Sequence, residues 1–215
     1  MYCRGREKRE EIVREYKVEP VAHIQLLNGQ TKHSDAQAEI RNDYYVFNVI
    51  SRQNDRVIDS IQCGMGAARH FLNLLHHDGL PLFNPLQGDG GGGTGGDGGN
   101  GGHVSAWDPL AKQLYNAIMW VIALSEKNPD SIYRVRDEVC DNMTHAPGSK
   151  IKSVNTIIRM NIERNAIKDA NTLTDAINKY RQQNKLRDDM CRFDLIQEAI
   201  TNIRDDEGNP IQSFF

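Results

Sequence analysis

No stretch of this chain is apolar for long enough to cross a bilayer. The longest unbroken run, Ala117–Leu124, falls far short of the roughly 20 residues a span needs. Met1–Lys17 is dense in Arg, Lys and Glu and has no apolar h-region, so no secretory signal is read there. Cysteine is sparse. Cys3, Cys63, Cys140 and Cys191 form no CxxC pair, which argues against a disulfide scaffold and against zinc-finger spacing. The formal net charge of −3 gives no global pull toward nucleic acid or anionic lipid. These absences predict a soluble, cytoplasmic protein with reduced thiols and no membrane partner.

What is present is enough for a packed core. A chain of 215 residues with 39% hydrophobic and 26% charged side chains suits one large domain or two small ones. The clearest boundary is Gly88–Gly102, where eleven residues are glycine. Such a segment cannot offset its own ordering entropy, so it is expected to act as a flexible linker or loop spanning about 20 Å. Within it, Gly92–Asn100 superficially fits a calcium-binding nonapeptide. It has Gly99 where a large apolar residue is needed, and one copy cannot stack on neighbours. The division predicted is an α+β domain over 1–87, the linker over 88–102 and a helical bundle over 103–215.

The first part centres on Tyr44–His77. Period-2 patterning predicts strands over Tyr44–Ile50 and Val57–Gln62, joined by the polar turn Ser51–Arg56. Tyr45, Phe47 and Val49 are assigned to one face, with Val57, Ile61 and Cys63 on a matching face of the second strand. Ala68, Phe71, Leu72 and Leu75 then mark a helix, closed by Gly79. Upstream, residues 2–16 read as a surface helix ended by Pro20. Val21–Leu27 and Gln30–His33 read as a hairpin about Asn28-Gly29, and Ser34 reads as the cap of a brief helix over Asp35–Arg41. The order of this half is thus a small antiparallel sheet with helices, β-β-α-β-β-α. Leu80–Leu86, interrupted by Pro81 and Pro85, is expected to lie extended over the core.

Beyond the linker the period changes to 3.6. Asp108-Pro109 is a strong helix start, and the helix it opens is apolar nearly all round in its second half. Further stripes begin at Ile132, Ile151, Leu173 and Phe193, the fourth helix opened by a Thr172-x-x-Asp175 box. This half is expected to be an all-α bundle of about five helices.

Two features carry chemistry. Cys63 sits at a strand-to-helix corner, where the helix dipole favours thiolate and Gly64, Gly66 and Ala67 leave backbone N–H groups accessible. As a nucleophile it needs a base, and His70 is about 10 Å along the helix, too far to serve. His23, His33, His103 or His145 would have to come from elsewhere. The competing reading is a small packed residue at the end of a strand. His70, His76 and His77 lack i,i+4 spacing, so no metal and no cofactor is assigned.

The second feature is a charge asymmetry. From Lys150 to Arg187 there are nine cations against three acids, and Asp188–Phe215 reverses the sign with seven acids against two cations. Lys150, Lys152, Asn155, Arg159, Arg164, Lys168, Lys179, Arg181, Lys185 and Arg187 form the candidate contact set. Basic residues with amides position phosphates, and the helices near 152–168 and 172–183 suggest a helix-turn-helix, although Tyr180 is the only aromatic for stacking. The alternative is a solvated face partly neutralised by the acidic last helix. The leading expectation is a non-enzymatic cytoplasmic binding protein contacting nucleic acid or an acidic partner through 150–187. A cysteine-dependent enzyme using Cys63 is the alternative, and an oligomerising role for Leu80–Leu86 and the apolar helix at 110–124 is the third.

Overall fold

The computed structural model of the chain describes residues 1–87, 107–125 and 130–215. These divide into two compact units, Met1–Asn84 and Pro85–Phe215. The fold is mixed α+β, with a small sheet in the N-terminal unit followed by helices. The glycine-rich segment and His103 lie outside the described residues. No helix among the described residues is long and apolar enough to cross a membrane.

The first unit opens with α1 (Arg6–Glu15), then β1 (Lys17–Gln25), the two-residue strands β2 (Lys32–His33) and β3 (Glu39–Ile40), β4 (Asp43–Ile50), β5 (Val57–Gly64), α2 (Met65–Leu75) and β6 (Leu82–Phe83). The main sheet has the order β5-β4-β1-β6, antiparallel except for the parallel pairing of β6 with β1. Cross-strand partners share a face. Tyr45 lies opposite Cys63 and Phe47 opposite Ile61, and all four join Val18 and Val49 in a buried cluster with Ile12 of α1 and Phe71 of α2. Phe47 and Phe71 sit 5.2 Å apart, and each such buried ring contributes about 1.5–3 kcal/mol over exposure. The opposite face, with Ala22, Ile24, Tyr44 and Val46, is buried as well.

Four local expectations change. Val57 pairs with Ile50, and a register shift between Val49 and Ile50 moves it to the face opposite Ile61 and Cys63. Pro20 does not end a helix but lies inside β1. It stands next to a register shift and beyond the two residues that β6 covers, where a missing N–H is tolerated. Asn28-Gly29 makes its turn, with Gly29 at φ 84 and Gln30 N donating to Leu27 O at 3.1 Å, but the flanking strands do not pair. β2 pairs with β3 instead. Asp35–Arg41 is a turn leading into β3, not a helix. Ser34 Oγ accepts from Ala36 N at 3.0 Å, Gln37 takes a left-handed φ of 57, and Asp35 is tied to β5 through both its backbone and its carboxylate.

The second unit is helical. α3 (Pro109–Leu124) is capped by Asp108, which accepts from Ala111 N at 3.0 Å, and nearly all of its second half is buried. α4 (Asp130–Asp141), α5 (Gly148–Glu163), α6 (Leu173–Arg181) and α7 (Asp194–Thr201) follow. The Thr172/Asp175 capping box forms with both reciprocal hydrogen bonds. Leu86 bridges to Leu186, and Trp120 donates to Met190 O at 2.7 Å.

Candidate functional site

Cys63 is the penultimate residue of β5, immediately before Gly64, which ends the strand and is the N-cap of α2. The dipole argument predicts an acidic, accessible thiol there, and the structure gives the opposite. Cys63 is fully buried. Its thiol is pushed well above the usual range, first by its hydrogen bond with Cys3 and then by burial and by the negative charges of Cys3 and Asp35. One turn of helix dipole does not outweigh these. Cys3, also fully buried, titrates the other way. The hydrogen bond from Cys63 lowers its pKa, against burial and Asp35, and Arg9 adds to the lowering. Of the two thiols, Cys3 is thus the more acidic.

Backbone links hold this arrangement. Cys3 N donates to Asp35 O at 3.0 Å and Asp35 N donates to Gln62 O at 2.8 Å, so residue 3 is fastened through residue 35 to the strand position before Cys63. Gln62 N in turn donates to the Asp35 carboxylate at 2.7 Å. From α1, Arg9 Nη1 donates to Cys3 O and Arg9 Nε to His70 Nδ1, both at 3.0 Å. Cys3, Arg9 and Asp35 are invisible to local pattern reading. Cys3 carries no motif, and only long-range pairing brings it to β5.

Three of the imidazoles are engaged elsewhere. His70 faces Arg9 and Glu10, and burial followed by the Arg9 charge lowers its pKa. His23 meets the Asp43 carboxylate at 2.7 Å and Leu80 O at 3.2 Å, and stacks on Tyr45 at 4.3 Å. His77 Nδ1 accepts from Gly79 N at 2.8 Å. The ionisable surroundings of Cys63 are Cys3, Asp35 and Arg9, with no histidine among them. A nucleophile-and-base arrangement at Cys63 finds no support. Beside the corner an open groove of about 330 Å³ is lined by Ser34, Glu39, Arg41, Asp43, Gly64 and Gly66 among others, and neither thiol lines it. Among the described residues no three His, Cys, Asp or Glu side chains converge as metal ligands.

The basic segment lies on α5, α6 and the turns around them. Lys150 pairs with Glu138, Lys152 with Asp206 at 2.7 Å, Arg159 with Glu163 at 3.8 Å, Arg181 with Asp188 at 3.2 Å and Arg187 with Asp189 at 2.7 Å. Lys179 donates to the backbone carbonyls of Lys168 and Asp169. The side chains of Arg164 and Lys185 have no acidic partner among the described residues. Asn155 leaves the contact set. It is buried, donating to Gln212 O at 2.8 Å and accepting from Phe214 N at 2.8 Å, because the tail folds across that face of α5. The helix-turn-helix expectation also fails. Residues 164–172 separate α5 from α6, more than the 3–4-residue turn of that motif.

Fold and site together define a two-unit α+β protein with two buried thiols in one core cluster of the first unit and a Lys/Arg-rich, largely ion-paired segment over residues 150–187 of the second. The chain belongs to the family described as "Uncharacterised conserved protein UCP028583", which matches residues 1–195 and so takes in both features. No curated protein and no solved structure matches it.

Proposed function

We propose that the chain is a cytoplasmic, non-enzymatic binding protein whose helical unit holds nucleic acid through the cations of residues 150–187. Four free cysteines fit a reducing compartment. The observation that carries the reading is the exposure of the acids opposite those cations. The side chain of Asp206 is 98% exposed, that of Asp188 65% and that of Glu163 62%. Ion pairs in such settings contribute little and are readily exchanged, so a phosphate of higher charge density can replace each carboxylate. Arg164 and Lys185 meet a phosphate without breaking any such pair. An acidic protein partner would meet the same cations, and direct comparison of the two ligands separates them.

The test is fluorescence anisotropy with mixed-sequence duplex DNA and with single-stranded RNA across a salt series. Wild type is expected to bind with a clear salt slope. The R164E/K185E variant, which leaves the ion pairs intact, should bind about tenfold or more weakly with the slope reduced by about 2. Binding and slope unchanged in that variant would overturn the proposal.

A further inference from the structure

We propose that Cys3 and Cys63 are a modification site for hydrogen peroxide, which converts the two thiols into a single intramolecular disulfide. The geometry points there in three ways. The two thiols share one buried core cluster and lie close enough for each to shift the other's titration, although they belong to segments far apart in sequence. The links from Cys3 to Asp35 and from Asp35 to Gln62 hold the first segment against β5, so the pairing is built into the backbone. Both side chains are fully buried in that cluster, which shuts out bulky disulfide oxidants, so the oxidant is a small uncharged peroxide that reaches them through local opening of the structure.

The chemistry divides between the two sulfurs. Cys3, more acidic because Cys63 donates a hydrogen bond to it and Arg9 lies close, is the attacking thiolate. Its sulfur takes the near oxygen of the peroxide and the O–O bond breaks. The departing hydroxide collects the proton Cys3 gave up, leaving a sulfenic acid and one water. Cys63 sulfur then attacks Cys3 sulfur, the S–O bond breaks, and the hydroxide leaves with the Cys63 proton as a second water. Two thiols are oxidised and one peroxide is reduced to two waters. Cys140 and Cys191 lie in the second unit, and burial raises both of their pKa values. Neither has a thiol among the groups that shift it.

The test treats the full chain, and a C140S/C191S variant that keeps the pair, with stoichiometric hydrogen peroxide, followed by non-reducing peptide mapping. Both proteins are expected to give a Cys3–Cys63 cross-linked peptide lighter by two hydrogens, reversed by dithiothreitol. Mutating Cys3 or Cys63 to Ser should abolish that peptide, but the proposal stands or falls on the pair-retaining variant. Sulfinic acid at Cys3 without the cross-link, a cross-link through Cys140 or Cys191, or thiols still reduced after the peroxide has consumed free cysteine in a parallel sample would each overturn it.

Discussion

Asn155 shows how one amide can be misread from its own helix. Its spacing with Lys152 and Arg159 places it opposite the Ile/Val stripe of α5, where a solvated or ligand-reading role is expected. The tail from Gln212 to Phe214 covers that position and uses both ends of the side chain. No local signal announces a segment that returns from about 60 residues downstream. Asn155→Ala removes both hydrogen bonds from a partly buried place, and is expected to cost about 1 kcal/mol in a urea titration. An unchanged midpoint would contradict the anchoring role. Tyr115 offers a pH test. Burial raises its pKa from 10.0 to about 12, so the neutral phenol is favoured in the folded state. The stability it contributes is complete below pH 10.0 and is lost as the pH climbs toward about 12. Ultraviolet titration of tyrosinate should lose one late-ionising component in Tyr115→Phe, and an unchanged curve would contradict the burial argument.

At the scale of elements, the helices were the legible part. Asp108-Pro109 and Thr172-x-x-Asp175 start α3 and α6 as their chemistry requires, because caps and apolar stripes are local signals. The bulges were not legible. A single extra residue exchanges the two faces of a strand, and nothing in the alternation of residues 57–63 marks it. The end of α2 departs in a related way. The left-handed residue is His76, at φ 51, while Gly79, at φ 102, has its α-hydrogens turned toward the Tyr45 hydroxyl. A Cβ there would lie 2.8 Å from that oxygen, which itself accepts from Leu80 N at 3.0 Å. Gly79→Ala is therefore expected to destabilise by about 1–3 kcal/mol, and His76→Gly to stabilise by up to about 1 kcal/mol. Calorimetry on the two variants should show melting temperatures moving in opposite directions.

For the molecule as a whole, the sheet lies in the compact unit Met1–Asn84 and the second unit, Pro85–Phe215, is helical. The thiol pair has its largest consequence at this scale. A bond between Cys3 and Cys63 closes a loop of about 60 residues, which on the chain-entropy account stabilises the first unit by about 4 kcal/mol. Peroxide-treated protein should therefore unfold at a higher denaturant concentration than reduced protein, and equal midpoints would argue against an unstrained bond.

Asp35 has one more effect. β5 is the outermost strand of its sheet, and an outer strand with open amides and carbonyls invites another chain to zip onto it. Residue 35 takes up both polar groups of Gln62, and Met1 N takes up Ser60 O, so the rim is capped from within. Where that cap is loosened, as in Asp35→Ala, the rim becomes a seed for self-association, and light scattering rather than loss of fold would be the first sign.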